Sequence, residues 1–397
     1  MYSSSLTPIL GAVDSLSHPI FLIFALVVGA CVGSFLNVVI YRVPREIGLS
    51  KPLRSFCPSC KKQIPSWLNI PILSWILLRG KCAECKSPIA VRYVMVEALT
   101  ALLFGIVWVK FSIYGWPIAL MIWIFISLLI SATFIDFEHY IIPDGITIGG
   151  MIVGLALAAL TALVPPQWTL EVRHTFELHG VRNVNWLRGL CYSGLGAATG
   201  FALIWTVVQL GKLAFGRNVR KFEKPQAWKI YQPNPDDEPQ LEIGDETLLW
   251  SDMFARESDK LVIEVSDLML NGKADDGDEI IIFWNRAEIG ETTINLEQLE
   301  LIEGKTLKMV QPREAMGFGD VKFVAMIGAF LGWEATVFSL VGGAVIGALV
   351  GTLQRVIGGE RWAKPIPFGP YLALAAMVYL FWGEAIKAWY IGLSYPG

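Results

Sequence analysis

Two aspartates dominate a chemical reading of this sequence. Asp320 closes the stretch Gly317-Phe318-Gly319-Asp320, where a polar segment gives way to the apolar run 321–333. Asp136 lies far upstream, at the end of the apolar run 117–135. A carboxylate at the end of a membrane helix is expensive, and is usually functional unless it only caps the helix. Two carboxylates within a few ångströms of each other cannot both ionise easily, so one keeps its proton and the pair titrates as a unit. The ionised member can activate water as a general base while the protonated member polarises a carbonyl. That is equipment for hydrolysing a peptide bond. Gly317 and Gly319 would let backbone or substrate come close. The plainer alternative is that Asp320 N-caps the next helix and Asp136 is a solvated helix end. Asp144 is a rival first aspartate, although its position after Pro143, at the start of a glycine-rich apolar run, also suits a cap.

A second constellation uses four of the six cysteines: Cys57-Pro58-Ser59-Cys60 and Cys82-Ala83-Glu84-Cys85. Two C-x-x-C turns about twenty residues apart match a tetrahedral zinc site. Such a metal would fold a loop too short to build its own core, and with no open coordination position its role is structural. Four reduced cysteines, or a redox pair, are the alternatives. Cys31 and Cys191 lie in apolar runs and read as buried small hydrophobes.

The elements that carry these residues are membrane helices. The chain is 54% hydrophobic and 17% charged, with a mean hydropathy of +0.52. Soluble domains carry roughly 25% charge. Neither the net charge of −3 nor any basic arm points to nucleic acid. The first apolar run lacks a basic leader and reads as a retained helix, not a signal peptide. The loop after it is basic: Arg45, Lys51, Arg54, Lys61, Lys62, Arg79, Lys81 and Lys86 face only Glu46 and Glu84. The positive-inside rule puts this loop in the cytoplasm and the N-terminus outside. Helices are expected at 19–43, 93–109, 117–135, 146–163, 190–213, 321–333, 335–356 and 368–389. The fold class is thus an all-α polytopic membrane protein of about eight spans, with both chain ends outside. By this count Asp136 and Asp320 share one depth on the cytoplasmic side. Asn37, in the small-residue stretch from Gly33, reads as bonded to a neighbour across a packing seam. Glu138 and His139 read as solvated boundary residues, and Arg42 and Arg92 as cytoplasmic anchors.

The domains expected are 1–43, the first helix; 44–92, a zinc-ribbon-like cytoplasmic loop; 93–215, helices two to five; 216–312, a soluble insertion; and 313–397, the last three helices. Strand-like runs at 261–265, 279–284 and 305–310, with turn signals at Asn271-Gly272 and at 275–277, make the insertion β-rich. The acidic turn 275–279 lacks the ligand alternation of a calcium loop.

In these motifs the chain resembles the prepilin peptidases (type IV leader peptidases), membrane aspartic proteases with a G-x-G-D motif. The likeness comprises the 33–39 stretch, both cysteine turns, Arg92-Tyr93 with Glu97, Asp136 with Ile142-Pro143-Asp144, the 317–322 stretch, and Pro367-Phe368-Gly369-Pro370. It skips the insertion, which the usual shorter members lack. The resemblance implies cleavage of a basic leader from type IV prepilins or type II secretion pseudopilins, after a glycine, at the cytoplasmic face of the bacterial inner membrane. It implies Asp136 and Asp320 as the catalytic pair. It also implies N-methylation of the new N-terminus with S-adenosylmethionine, an activity associated with the cysteine loop. The substrate's apolar helix would lie among lipid and the enzyme's own helices. Two rivals stay open: a proton-coupled transporter using the same carboxylates, and a membrane methyltransferase whose aspartates are structural.

Overall fold

A computed structural model describes residues 19–50, 55–114, 116–160, 186–215, 218–232, 238–244, 246–254, 259–295, 301–311, 317–358 and 367–394. Residues 161–185, between the helices expected at 146–163 and 190–213, and residues 233–237 of the insertion lie outside the described residues. The long helices are α1 (Pro19–Arg42), α2 (Val91–Phe111), α3 (Trp116–His139), α4 (Asp144–Leu160), α5 (Trp186–Phe215), α6 (Phe318–Gly358) and α7 (Gly369–Ser394). Six are long and apolar enough to cross a membrane, and α4 is apolar but shorter. The chain forms two compact units. One comprises Met1–Ala202, Gly319–Ala348 and Pro367–Gly397, and the other Leu203–Phe318 and Leu349–Ile366.

In the first unit, glycine lets helices touch at the backbone. A Cβ at Gly29 would lie 2.7 Å from the Ala101 Cα, and one at Gly33 2.7 Å from the Glu97 Cα. This is the small-residue packing that membrane helices use where no hydrophobic driving force exists between them. α1 and α2 therefore run antiparallel in close contact, and the Asn37 Nδ2 donates to the Tyr93 carbonyl at 2.9 Å across the seam. Gly196 and Gly200 of α5 pack in the same way on the backbone of α6 at Gly328 and Val324.

The two helices expected at 321–333 and 335–356 form one element with a break. Gly332 has φ 83 and ψ 178 inside α6. No side chain fits there, because a Cβ would meet the Tyr192 ring and hydroxyl at 2.6 Å. Cys31 and Cys191, expected to be buried, are exposed on α1 and α5. An apolar run in a membrane helix can face lipid as readily as protein. Arg42, expected as an interface anchor, is buried at 3% exposure and donates to the Gly48 and Leu49 carbonyls, tying down the exit of α1.

The second unit holds an antiparallel sheet: β1 (Asn218–Tyr231), β2 (Gln240–Ile243), β3 (Glu246–Leu249), β4 (Lys260–Leu270), β5 (Lys273–Asp275), β6 (Glu279–Phe283), β7 (Arg286–Ile289), β8 (Thr292–Asn295) and β9 (Leu301–Gln311). The strand order is β3-β2-β1-β9-β4-β6-β7-β8, and β5 pairs with β4. The three expected strand runs are β4, β6 and β9. Alternation puts Leu261, Ile263, Ile280 and Ile282 inside with Trp228, Trp250 and Phe254. Asn271 (φ 48) and Gly272 (φ 76) make the tight β4–β5 turn, as Asn-Gly does where both central residues need positive φ.

Gly332→Ala tests the break in α6. A side chain in that conformation costs about 1–3 kcal/mol before any clash with Tyr192, so the variant is expected to unfold at a lower temperature than wild type in a thermal melt. An unchanged midpoint would mean the break is not fixed by this glycine.

Candidate active site and metal centre

The aspartates are set by helix ends. α3 ends with Tyr140 in the left-handed region (φ 54), and the Tyr140 amide bonds back to the Asp136 carbonyl at 3.0 Å. The chain then turns through Ile142 and Pro143 into α4. The Pro143 carbonyl receives the first amides of α4, from Ile146 and Thr147. Asp136 is buried at 5% exposure and Asp320 at 8%. The Asp136 Oδ2 accepts a hydrogen bond from the Gly369 amide at 2.9 Å. Gly369 is the first residue of α7, so this carboxylate meets the positive end of a helix. Asp320 sits in the first turn of α6, where a helix end again favours negative charge.

Ile142 joins the two. A Cβ at Gly369 would lie 2.7 Å from the Asp136 Oδ2 and 3.0 Å from the Ile142 Cδ1, while one at Gly319 would meet Ile142 at 3.4 Å. The segments carrying Asp136, Gly319-Asp320 and Gly369 therefore converge on one side chain. Gly369 leaves no room for a larger residue. At Gly319 a methyl group would make ordinary contact, so the close approach expected there is not enforced by space. Gly317 is half-buried just before α6. Asp144 differs from Asp136: its side chain is 61% exposed and pairs with Lys322 at 2.6 Å.

The importance of Gly369 was not read from the sequence. Its amide reaches a residue 233 positions away, and the only local sign was Pro367-Phe368-Gly369-Pro370 ahead of an apolar run. Glu138 and His139, expected to be solvated, are only partly so: Glu138 pairs with Arg92, and the Arg45 Nη1 lies 3.5 Å from the His139 Nε2. Arg92 also stacks over Tyr93, its guanidinium carbon 4.8 Å from the ring centre.

The cysteine loop folds as two matching knuckles. In the first, the Lys61 amide bonds to the Cys57 carbonyl and the Cys57 amide to the Lys62 carbonyl. In the second, the Lys86 amide bonds to Cys82 and the Cys82 amide to Ser87. Lys61 (φ 61) and Lys86 (φ 59) adopt the left-handed conformation at equivalent places. The four sulfurs of Cys57, Cys60, Cys82 and Cys85 lie within 4.8 Å of one another, an arrangement that could hold a metal ion. Cys57 and Cys85 are 3.8 Å apart. Tetrahedral zinc–sulfur bonds of about 2.3 Å require sulfurs about 3.8 Å apart, so the donor set fits. Backbone donation from Cys60, outweighing burial, lowers the Cys57 thiol to about 6. At Cys60, against backbone donation from Lys62, burial and the neighbouring Cys57 and Cys85 sulfurs push the thiol up to about 11, so the thiolate is favoured at Cys57 and not at Cys60. Lys62 and Glu84 bridge the knuckles at 2.8 Å, but both are well exposed, so the pair adds little.

Six apolar helices long enough to span a membrane, with two buried helix-end carboxylates and a four-cysteine loop in the same unit, define a multi-pass membrane protein. Comparison with known proteins makes this specific. Residues 27–111 match the Bacterial Peptidase A24 N-terminal domain, and residues 299–352 match the Type IV leader peptidase family. A protein of Stutzerimonas stutzeri named prepilin leader peptidase/N-methyltransferase is 27% identical over 400 residues, spanning 94% of this chain and 96% of the relative. Namesakes from Neisseria gonorrhoeae and Myxococcus xanthus are 35% identical over 228 residues (51% of this chain, 70% of the relative) and 47% over 141 residues (35% and 41%). No solved structure is significantly similar. The chain belongs to the type IV leader peptidase family.

The knuckles predict a bound metal. Elemental analysis of the purified protein is expected to find close to one equivalent, and a Cys57→Ser/Cys82→Ser variant is expected to lose it. Undiminished metal in the variant would contradict the site.

Proposed function

We propose that this chain is a prepilin leader peptidase that hydrolyses the leader peptide bond with Asp136 and Asp320, and that it methylates the N-terminus so exposed. The observation that carries the first part is the burial of both carboxylates on segments that meet at Ile142. One carboxylate takes a proton from water, whose oxygen attacks the scissile carbonyl. The other donates its proton to the carbonyl oxygen, and the leaving amine is protonated as the carbon–nitrogen bond breaks. The substrates are type IV prepilins or type II secretion pseudopilins, cut after a glycine. Their apolar helix lies in lipid alongside the enzyme, and the basic leader stays in the cytoplasm.

The topology that fits is eight spans in the inner membrane, with α6 counted as two across Gly332, α4 as a short crossing, and both termini on the outer side. The chain then divides at 43, 92, 215 and 312. The metal is a structural zinc held by Cys57, Cys60, Cys82 and Cys85, which supplies a crosslink to a loop with little core of its own. S-adenosylmethionine is the methyl donor, in keeping with the second half of the relatives' names. A proton-coupled transporter gains no support, since the carboxylates sit at helix ends rather than at a midplane break.

The test is cleavage of a model prepilin by purified protein. Wild type is expected to release the leader; Asp136→Asn and Asp320→Asn, folded and membrane-inserted, are expected to lose the activity. Asp144→Asn, which breaks only an exposed ion pair, is expected to retain most of it. Full cleavage by Asp136→Asn with loss in Asp144→Asn would move the first carboxylate to Asp144.

A further inference from the structure

A third acidic group lies on the seam between α1 and α2, and the peptidase chemistry does not use it. Glu97 is 9% exposed within an apolar helix. Its carboxylate accepts hydrogen bonds from the Ile72 amide, at 2.7 Å, and from the Ser34 hydroxyl. No cation pairs with it among the described residues. An unpaired carboxylate buried at this depth is costly and is a functional site by default.

Two further observations point to a ligand at the same place. The Asn37 side chain is 3% exposed, and its Nδ2 is committed to the Tyr93 carbonyl, which fixes the amide orientation. Its Oδ1 is left buried with no hydrogen-bond partner, an acceptor that costs about 1–3 kcal/mol to leave unmet. Side chains on a helix lean toward its N-terminus. Gly33 faces Glu97, and Asn37 faces Tyr93, so on these antiparallel helices Asn37 leans toward the level of Glu97 and Glu97 leans toward the level of Asn37. The second observation is strain. Ile72 is β-branched yet has φ 64 and ψ −53, a tight turn closed by the Leu73 amide on the Pro71 carbonyl at 2.6 Å. Such a conformation persists only where its surroundings hold it, and it clusters at ligand sites. Here it aims an amide at the carboxylate from the segment that follows the first cysteine knuckle.

We propose that Glu97, Asn37 and Ser34 form the binding site for a primary ammonium group, the α-ammonium of the cleaved substrate, and that Glu97 takes its proton before methyl transfer. This rests on the methyl-transfer reading above. Three acceptors match the three N–H donors of an ammonium, and the charge of Glu97 meets its missing counter-charge. Ser34 is half-buried and marks the way in. Loss of a proton to the Glu97 carboxylate leaves a lone pair on nitrogen. That pair displaces the sulfur of a sulfonium methyl donor: the nitrogen–carbon bond forms, the carbon–sulfur bond breaks, and its electrons stay on sulfur as a thioether. A second proton leaves the methylated nitrogen for water.

The test uses purified full-length protein with S-adenosylmethionine and two substrates, an intact prepilin and a mature pilin peptide with a free N-terminus. Glu97→Gln is expected to cleave prepilin near the wild-type rate and to methylate the mature peptide about 10²–10⁴-fold more slowly. The residual rate is expected to climb about tenfold per pH unit up to about pH 8, where the amine loses its own proton. Asn37→Leu is expected to raise the KM for the mature peptide while leaving cleavage intact. Equal methylation by wild type and Glu97→Gln would overturn the proposal. So would joint loss of both activities, which would make Glu97 only a support for the cysteine loop, or normal methylation with a raised cleavage KM, which would make the site a pocket for a leader lysine. Wild type that cleaves but never methylates would overturn the methyl-transfer reading as well.

Discussion

A carboxylate drawn into the end of a membrane helix bundle needs compensation, and the arrangement around Asp136 depends on how it is supplied. One amide donated to a charged group is worth about 1.5–3 kcal/mol, and a helix terminus adds up to about 2. Burying an ion costs several kcal/mol. The Gly369 amide at the head of α7 supplies part of that compensation at Asp136. A second carboxylate brought to the same place would be held more cheaply with its proton on. On the proposed reading, the compensation that lets the acids be buried is also what keeps one of them charged and the other a proton donor. It requires a residue at 369 with no side chain, a fixed turn through Ile142, and α6 beginning close to Asp320.

The same logic governs the seam between α1 and α2, toward the same end of the first unit, where Arg92 at the head of α2 pairs with Glu138 at the foot of α3. Gly29 and Gly33 bring α1 and α2 to backbone contact, which leaves polar side chains on the seam little choice of partners. Asn37 finds one for its amide and none for its oxygen; Glu97 is held by an amide from a strained turn. The cysteine knuckles stand between these helices in sequence, so a metal that fixes the loop also fixes the turn at Ile72. Two polar sites in one helical unit are what a protein with two reactions on one polypeptide end would need.

Much of this was legible in the sequence, because the strongest signals are local. Hydropathy located the helices, spacing located both knuckles, and alternation with Asn-Gly located the central strands of the insertion. The Gly-x-Gly-Asp stretch read correctly as a helix start. What was not legible depends on distant parts of the chain. Gly369 falls at the start of the expected helix 368–389 with no chemistry of its own, yet its amide reaches Asp136 with no Cβ in the way. Arg42 looked like an interfacial anchor, but the chain folds back so that the Gly48 and Leu49 carbonyls take its charge. Cys31 and Cys191 were misjudged because hydropathy cannot distinguish a lipid-facing position from a buried one. The break at Gly332 was expected as a gap between two helices, whereas the backbone continues through a single non-helical glycine braced by Tyr192.

The most direct measurement of the central claim is a double-mutant cycle on cleavage, comparing Asp136→Asn, Asp320→Asn and the double variant. Groups that act as one unit are grossly non-additive. Either single change is expected to remove nearly all activity, and the double variant is expected to be no slower than the singles. Losses that multiply, or substantial activity in one single variant, would show two carboxylates working apart and would contradict that claim.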